Sequence, residues 1–242
     1  MLYAEILAGG SGTRMTGAPV PKQFLKLGNM PVLIHTLEKF AAYSAFREII
    51  VCAPAEWTDY TRELISRYFG ESCNITVVTG GKNRNTSVMC GVEYINQKYG
   101  INPEDIIITH DAVRPFIDNR ILSENERAAE KYSAANTVMP TYDTLTQSSD
   151  GVFALSTPDR SSFFRVQTPQ SFNLKILYTL LGSLSEQDMA KYTDTAAIFE
   201  AYGKKVRLVQ GDDRNIKITT PFDMSIAQAI YNDTGKDVQG NE

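Results

Sequence analysis

The chain has 242 residues, of which 43% are hydrophobic, enough to bury the core of one large α/β domain. The formal net charge of −4 and the pI near 5.4 provide no broad basic field for a polyanion, which argues against a general nucleic-acid or membrane-surface binder. The three cysteines form no C-x-x-C pair, which argues against disulfides and against a zinc site. The sequence shows no signal-peptide pattern, and no apolar run approaches the ~20 residues of a membrane span. These features predict a soluble cytoplasmic protein.

A short apolar run at residues 2–8 is the first predicted strand, and it stops at a glycine cluster in residues 9–12. Two cations, Arg14 and Lys22, follow the cluster. Glycine lets the backbone approach a ligand closely, and a series of exposed N–H groups forms an anion-binding concavity. An ordinary turn with two surface cations is the alternative, but the position directly after a buried strand favours a phosphate loop. The loop is neither a Rossmann fingerprint, because Met15 stands where the third small residue should be, nor a P-loop, because no Gly-Lys-Ser/Thr ends it.

Strands and helices alternate through the first 140 residues. The fourth strand is a nearly continuous apolar run, as expected of a parallel strand covered on both faces. This alternation predicts a three-layer α/β/α fold with a mostly parallel sheet, in which ligands bind at the carboxyl ends of the strands. After the first strand, the pattern predicts strands at 48–53, 75–79, 105–109 and 136–140, a short extended piece at 24–27, and helices at 31–40, about 56–69, 88–95 and about 120–131.

The alternation breaks at residues 141–168, where polar residues alternate with Tyr, Leu, Val and Phe. Gly151 separates two short strand-like runs, which predicts a β-arm, and such an arm cannot bury both faces against its own domain. We therefore expect a single domain over residues 1–242 with an arm that contacts a partner subunit. After the arm, the sequence predicts a helix at 173–184, a helix capped by residues 193–195, a strand at 205–209, an extended run at 215–219 and a last helix beginning at 220–221.

A second glycine pair, at residues 80–81, follows the third strand and precedes a helix. The polar residues after it indicate either a solvated helix start or a nucleotide contact. Helix N-termini bind anions through their free N–H groups, so the preceding glycines favour the nucleotide contact. These polar residues are Lys82, Arg84, Asn85 and Ser87.

Asp111, at the end of the fourth strand, is the best metal candidate, because a carboxylate there can hold Mg²⁺ that also bridges phosphate oxygens. A loop cap is an equal alternative, and Arg114 three residues on favours an anion site. His110 points to the opposite face of the strand and is predicted to pack or to make a structural hydrogen bond. Arg160 and Lys217 are isolated cations that by themselves predict only surface charge. The residues alone predict a nucleotide-handling enzyme with Mg²⁺ and leave the reaction open.

Six short motifs are spread over nearly the whole chain. They are Leu7-Ala8-Gly9-Gly10-x-Gly12-x-Arg14-Met15, Pro21-Lys22-Gln23, Gly80-Gly81-x-x-Arg84-x-x-Ser87-Val88, His110-Asp111-x-x-Arg114-Pro115, Gln167-Thr168-Pro169-Gln170 and Asn215-Ile216-Lys217. In combination they resemble the cytidylyltransferases of the 2-C-methyl-D-erythritol 4-phosphate type. The resemblance implies a Rossmann-like nucleotidyltransferase fold and the transfer of CMP from CTP. A phosphate oxygen of a polyol phosphate attacks the α-phosphorus in line, and pyrophosphate leaves.

The resemblance also implies roles for residues of this chain. Arg14 and Lys22 would stabilise charge on the α-phosphoryl oxygens, and Asp111 would hold Mg²⁺. In the family the arm crosses to a second subunit, which implies a homodimer in which Arg160 serves the neighbour's site. The CTP site would comprise Leu7, Ala8, Gly9, Gly10, Gly81, Lys82, Asn83, Arg84, Asn85, Thr86, Ser87, Val88 and Ala112. The polyol phosphate would meet Arg114, Thr144, Arg160, Thr193 and Lys217.

Two acceptors compete within this family. The opening Tyr3-Ala4-x-Ile6-Leu7-Ala8-Gly9-Gly10 resembles the branch that uses D-ribitol 5-phosphate for teichoic-acid or capsule synthesis, since the isoprenoid branch usually has Pro-Ala-Ala-Gly there. We therefore expect CDP-ribitol as the product, with methylerythritol phosphate as the alternative acceptor. A nucleotide-sugar glycosyltransferase usually needs Asp-x-Asp after a central strand, and Asp111 has no such partner.

Overall fold

Seven strands form the central sheet of the computed structural model, which describes residues 1–10, 15 and 20–237. Two further short strands form a hairpin. The strands are β1 (Leu2–Leu7), β2 (Lys26–Leu27), β3 (Met30–Pro31), β4 (Phe46–Ala53), β5 (Ile75–Thr79), β6 (Ile106–Asp111), β7 (Ala134–Pro140), β8 (Phe164–Asn173) and β9 (Arg207–Gln210). The helices are α1 (Val32–Ala41), α2 (Thr58–Phe69), α3 (Arg84–Tyr99), α4 (Asn119–Tyr132), α5 (Leu174–Gly182), α6 (Glu186–Met189), α7 (Ala196–Ala201) and α8 (Pro221–Asp237).

The sheet has the order β5-β4-β1-β6-β8-β7-β9 and is mostly parallel, as predicted. Strands β5, β4, β1 and β6 run parallel to one another, and β7 is parallel to β9. Strand β8 runs antiparallel to both of its neighbours. In the register of β1 and β6, Leu7 is the partner of Asp111. The two loops that follow these central strands therefore begin side by side at one edge of the sheet.

Helices cover both faces of the sheet, which confirms the three-layer architecture. On one face, side chains of β1, β4 and β6 pack against α1, where Leu33, Leu37 and Phe40 are fully buried. On the other face, Val92 of α3 and Phe199 of α7 belong to a second buried cluster. Because the central strands are buried on both faces, they read as continuous apolar runs. None of the described helices is both long and apolar enough to cross a membrane.

Most predicted elements lie within a few residues of the observed ones. Strand β5 has the predicted bounds, whereas β6 extends beyond Thr109 to include Asp111. The sequence did not predict the four-residue helix α6. The extended run predicted at 215–219 is a loop without a strand. Its conformation depends on long-range side-chain bonds, which periodicity does not report.

Strand β8 is the largest difference from the predicted elements. Residues 164–168, predicted as the end of the arm, belong to this sheet strand. Its central sequence Gln167-Thr168-Pro169-Gln170-Ser171 is polar, so no apolar alternation marks it. These polar side chains are nevertheless buried, and Thr109 Oγ1 donates a hydrogen bond to the backbone oxygen of Gln170. The strand is specified by hydrogen bonding inside the sheet.

The remaining residues 141–163, called the arm below, project from the end of β7. Their pairing is limited to one isolated antiparallel bridge between Gln147 and Ser156 within the part of the chain that is described. The tip turns at Gly151, whose φ of +74° favours glycine. Val152 and Phe153 beside it are 74% and 76% exposed. The arm therefore presents apolar side chains that its own subunit does not cover.

Candidate active site

A cavity of about 240 Å³ lies at the carboxyl ends of β1 and β6, the sheet edge at which the sequence predicts the ligand. The loop after β1, the loop before α3 and the end of β6 contribute its walls. Its lining consists of Leu7, Ala8, Gly9, Gly10, Lys22, Gln23, Gly81, Lys82, Asn83, Arg84, Ser87, Asp111, Ala112, Val113 and Lys217.

The end of β1 is held in place by its neighbours. Ala8 donates its backbone N–H to Cys52 O at 2.9 Å, and Ala112 donates to Leu7 O at 3.1 Å. The buried Gln23 side chain donates from Nε2 to Ala8 O at 2.6 Å. Lys22, directly before it, is only 7% exposed and lines the cavity. The short 3-10 turn Lys22–Phe24 thus fixes both the backbone after β1 and a cation beside it.

The loop before α3 is organised by a capping box. The Asn83 side chain accepts a hydrogen bond from the backbone N–H of Thr86, and Thr86 Oγ1 accepts one from the N–H of Asn83. Ser87 Oγ accepts from the N–H of Gly81 at 3.1 Å. A Cβ at Gly81 would lie 2.4 Å from Thr86 Oγ1, so only glycine permits this approach. The loop therefore brings the positive end of α3 to the cavity wall.

Asp111 lies at the centre of a cluster of cations. Its Oδ2 is 2.8 Å from Lys217 Nζ and 3.5 Å from Arg114 Nε, and its Oδ1 is 3.9 Å from Arg84 Nε. Burial would raise the pKa of this carboxyl, but the three cations hold it well below its usual range. One negative charge among three positive charges leaves a surplus of two positive charges, which suits a site for phosphate groups.

A second cavity, of about 170 Å³, adjoins the first. Both are lined by Arg84, Asp111 and Lys217, so the cation cluster separates them. The second cavity is also lined by Arg114 and Thr193. The arrangement can hold two phosphate-bearing groups on opposite sides of one charged wall.

Comparisons with known proteins identify the family. The family model of IspD, 2-C-methyl-D-erythritol 4-phosphate cytidylyltransferase, matches residues 2–233. The chain belongs to this cytidylyltransferase family. It is 45% identical over 230 residues to a ribitol-5-phosphate cytidylyltransferase of Lactiplantibacillus plantarum, covering 95% of this chain and 98% of that protein.

Solved structures of the cytidylyltransferase family have the same fold. The 4-diphosphocytidyl-2C-methyl-D-erythritol synthase of Anaerococcus prevotii matches with a TM-score of 0.79 at 30% identity, covering 96% of each chain. The 2-C-methyl-D-erythritol 4-phosphate cytidylyltransferase of Francisella tularensis matches with a TM-score of 0.77 at 28% identity, covering 94% of this chain and 98% of that one. The chain is therefore a nucleotidyltransferase with the fold of this family.

Most residues that the resemblance to cytidylyltransferases assigned to the nucleotide line the first cavity, together with Lys22, Asp111 and Lys217. Three do not. The side chain of Asn85 donates to the backbone oxygens of Met189 and Tyr192, Thr86 closes the capping box, and Val88 is fully buried in the core. Residues three apart share a face of a helix, so Arg84 and Ser87 reach the cavity together, while Asn85 and Val88 share a face that points away from it.

The residues assigned to the polyol phosphate divide into two groups. Arg114, Thr193 and Lys217 line the second cavity. Thr144 and Arg160 lie in the arm, where Arg160 donates from Nη1 to Tyr142 O at 2.6 Å. The structure of this subunit does not bring these two into either cavity. The predicted catalytic Arg14 lies outside the described residues.

His110 makes the structural hydrogen bond predicted for it. Burial lowers the pKa of His110 to about 4, so its ring is neutral near pH 7. Its Nε2 lies 3.1 Å from Arg114 O, which can only accept, and Nε2 therefore donates. This bond closes the turn between β6 and Arg114.

Sequence reasoning assigned no role to two residues that shape the cytidylyltransferase site. Gln23 holds the end of β1 through Ala8, and Thr168 Oγ1 accepts a hydrogen bond from the backbone N–H of Asp111 at 3.1 Å. Both residues stand in motifs on which the family resemblance rests, and this resemblance is the sequence feature that could have indicated their roles. Their contacts join positions 15 and 57 residues apart, which a local pattern does not reveal.

Proposed function

We propose that the chain transfers CMP from CTP to D-ribitol 5-phosphate and gives CDP-ribitol and pyrophosphate, as a step in teichoic-acid or capsule synthesis. The observation that carries the reaction type is the cation cluster around Asp111, which lies between two cavities at the sheet edge. The acceptor is supported by the 45% identity to a ribitol-5-phosphate cytidylyltransferase over almost the whole of both chains.

The first cavity would bind CTP. Backbone groups of residues 7–10 and of the loop before α3 would surround the base and the phosphates, and Lys22 and Lys82 add positive charge there. Lys82 Nζ now pairs with Glu186 Oε2 at 3.2 Å, an exposed contact that a triphosphate would displace at little cost. The predicted Arg14 would join Lys22 at the α-phosphate.

The second cavity would bind the phosphate end of ribitol 5-phosphate, through Arg114, Thr193 and Lys217. A phosphate oxygen of this acceptor forms a bond to the α-phosphorus of CTP. The bond from the α-phosphorus to the bridging oxygen of the β-phosphate breaks, and the electron pair leaves with pyrophosphate. Catalysis is then mainly positioning and stabilisation of the charge on the α-phosphoryl oxygens, by Lys22 on one side and the cation cluster on the other.

Mg²⁺ would enter this site together with the nucleotide. The described residues contain no group of three or more His, Cys, Asp or Glu side chains able to hold a metal ion. Mg²⁺ in nucleotide sites is commonly bound by one or two carboxylates and the substrate phosphates. Asp111 fits this role through Oδ1, whose ion pair with Arg84 is long at 3.9 Å. When bound, Mg²⁺ neutralises charge on the leaving pyrophosphate.

The arm supports a homodimer as part of the proposal. Its exposed apolar tip at Val152 and Phe153 suits a contact with a second copy. Thr144 and Arg160 would then reach the acceptor cavity of that copy. We place the reaction in the cytoplasm, which the three unpaired cysteines support.

The test is pyrophosphate release from CTP and Mg²⁺ with each of two acceptors. D-Ribitol 5-phosphate is expected to release pyrophosphate efficiently, and 2-C-methyl-D-erythritol 4-phosphate to release little. The reverse preference would reassign the acceptor and keep the reaction, in line with the family model. Release with neither acceptor would refute the proposed function. UTP in place of CTP is the control for base selectivity.

A further inference from the structure

Lys217 lies in the segment between β9 and α8, which contains no helix or strand. Its Nζ is nevertheless 2.8 Å from Asp111 Oδ2. A lysine side chain has four rotatable bonds and loses rotamer freedom when fixed, so its position depends on how firmly its backbone is held. Ile218 N, which donates to Val113 O at 2.9 Å, is one anchor of this segment. The other anchor is Asn215.

Asn215 is fully buried, and its side chain joins the Lys217 segment to β8. Its Nδ2 donates to Thr168 O at 2.8 Å and to Gln167 Oε1 at 3.1 Å. Thr168 O can only accept, so the amide nitrogen must face it. Both bonds therefore require the donor end of an asparagine at this position.

The residues that Asn215 contacts are in turn bonded to the cation cluster. Thr168 Oγ1 accepts from the backbone N–H of Asp111 at 3.1 Å. Arg114 Nη1 donates to the backbone oxygen of Asn215 at 2.7 Å. Asn215 is thus hydrogen-bonded directly to Arg114 and, through Thr168, indirectly to Asp111. It also lies two residues before Lys217 in the chain.

A second set of contacts holds the start of the same segment. Gln167 Nε2 donates to Asp212 O at 2.8 Å. A Cβ at Gly211 would lie 2.4 Å from Gln167 Oε1. Only glycine therefore lets the backbone at position 211 approach the Gln167 side chain this closely. The segment is therefore fastened to β8 on both sides of the turn that precedes Lys217.

We propose that Asn215 is a positioning residue that keeps Lys217 beside Asp111 and so shapes the wall between the two cavities. The kinetic consequence rests on the proposed function, because it assumes that Lys217 meets the acceptor phosphate. Asn215 itself is buried behind the wall and touches neither substrate. Its removal mainly affects the acceptor side. Lys217 and Asp111 also line the CTP cavity, but the loops after β1 and before α3, which form most of that cavity, do not depend on Asn215.

The experiment compares Asn215→Ala and Asn215→Asp with the wild type and with Asn125→Ala. Asp keeps the shape of Asn but cannot donate, so it tests the two bonds without creating a cavity. Asn125 is also fully buried, and its Nδ2 donates to Ile121 O and Thr137 Oγ1, both at 2.9 Å, away from either cavity. It controls for the general cost of removing a buried amide.

For both Asn215 variants, kcat/KM for the acceptor is expected to fall about 10- to 100-fold, since a misplacement of about 1 Å costs on the order of 10²-fold. The KM for CTP is expected to change no more than a few-fold, because Lys217 is only one of the residues that line the CTP cavity. Asn125→Ala is expected to keep both constants despite a lower Tm. Equal losses for CTP and acceptor, or wild-type kinetics in the Asn215 variants, would overturn the proposal.

Crystal structures of the variants give a measurement that does not depend on activity. The Lys217 Nζ to Asp111 Oδ2 distance is expected to exceed 4 Å in Asn215→Asp and to remain near 2.8 Å in Asn125→Ala. Retention of the ion pair in Asn215→Asp would refute the positioning role. If the wild type released no pyrophosphate with either acceptor, the proposed function would fail, and these distances would still decide the role of Asn215.

Discussion

At the scale of single residues, the site depends on two differently held cations. Lys217 lies in a loop, and its side chain is 40% exposed and paired with Asp111. Lys22 instead is the first residue of a short 3-10 turn and is nearly buried beside the first glycine loop. A cation that is shielded from water stabilises developing charge more than one that is partly exposed, because water screens the charge of the exposed one. This difference favours Lys22 for the reacting phosphate and Lys217 for substrate binding.

Lys22→Ala is expected to lower kcat about 10²- to 10³-fold, the usual effect of losing one charge-stabilising group. The dissociation constant for CTP should change only a few-fold, because the other cavity residues still bind the phosphates. Steady-state kinetics and calorimetric CTP titration measure the two effects separately. Lys26→Ala, which removes an exposed lysine four residues away, is the matched control and should leave both values unchanged. A normal turnover in Lys22→Ala would exclude its catalytic role.

At the scale of elements, β1 and α3 pack closely around one carboxyl group. Glu5 is fully buried at the centre of β1, and a Cβ at Gly91 of α3 would lie 2.4 Å from its Oε1. The Cys52 thiol donates to the same oxygen at 3.0 Å. Burial raises the pKa of Glu5 to about 8, although the thiol hydrogen bond and Arg84 oppose this. The carboxyl is therefore largely protonated at neutral pH.

This raised pKa makes folding stability depend on pH. Between the ordinary pKa of 4.5 and about 8, the unfolded chain has lost the Glu5 proton and the folded chain keeps it. Folding then takes up a proton, so the contribution of Glu5 is present in full below pH 4.5 and is lost as the pH rises towards 8. Relative to Glu5→Gln, the wild type should lose unfolding free energy as the pH rises from 5 to 8, by at most about 1.4 kcal/mol per pH unit in the middle of this range.

Urea unfolding of both proteins at several pH values measures this difference. Glu48→Gln is the control. Burial would raise the pKa of Glu48, but hydrogen bonds from Thr76, Lys98 and Tyr94 hold it below its ordinary value, so the group is ionised in both states from pH 5 to 8. The difference in unfolding free energy between Glu48→Gln and the wild type should therefore not change with pH over this range. If the difference in unfolding free energy between Glu5→Gln and the wild type were also independent of pH, Glu5 could not be protonated in the folded protein.

The same elements show what the sequence could and could not predict. The alternation of apolar runs predicted the sheet strands up to β7, because each is local and buried on both faces. The loop before α3 was predictable because the residues that form it lie together in the chain. Of the first glycine cluster, the structure describes only Gly9 and Gly10. Strand β8 was missed because its buried side chains are polar and bond to one another.

Local sequence patterns do not predict contacts between segments that are far apart in the chain. Lys217 is 106 positions after Asp111, and as an isolated cation it predicts only surface charge. Only the family resemblance indicated that it belongs to the site. Similarly, the resemblance assigned every residue from 81 to 88 to the CTP site, whereas the helical geometry of α3 turns Asn85 and Val88 away from the cavity.

At the scale of the whole molecule, two residues that the family resemblance assigns to the acceptor lie in the arm and not at either cavity of the same subunit. Arg160 lies in the exposed arm and donates to Tyr142 O within it, and it is absent from the lining of either cavity of its own subunit. A two-fold dimer would place the same arm of each copy against the other copy. We expect that each active site then combines Lys22 from one subunit with Arg160 from its partner.

Mixing two inactive variants tests this arrangement. Lys22→Ala and Arg160→Ala homodimers each carry a defect in both sites. A mixed dimer in which Arg160 acts across the interface has one site with both defects and one site with none. Random exchange of subunits makes half of the dimers mixed, so about a quarter of the wild-type activity should return, as the symmetry of a two-fold dimer requires.

The controls for this mixing experiment separate assembly from catalysis. Each variant treated alone by the same unfolding and refolding should stay inactive, and sedimentation should show dimers throughout. If Arg160 acted within its own subunit, every site in a mixed dimer would carry one defect, and no activity would return on mixing. A wild type that sediments as a fully active monomer would also refute the arrangement. The exposed tip at Val152 and Phe153 would then need a different explanation, because no second copy would cover it.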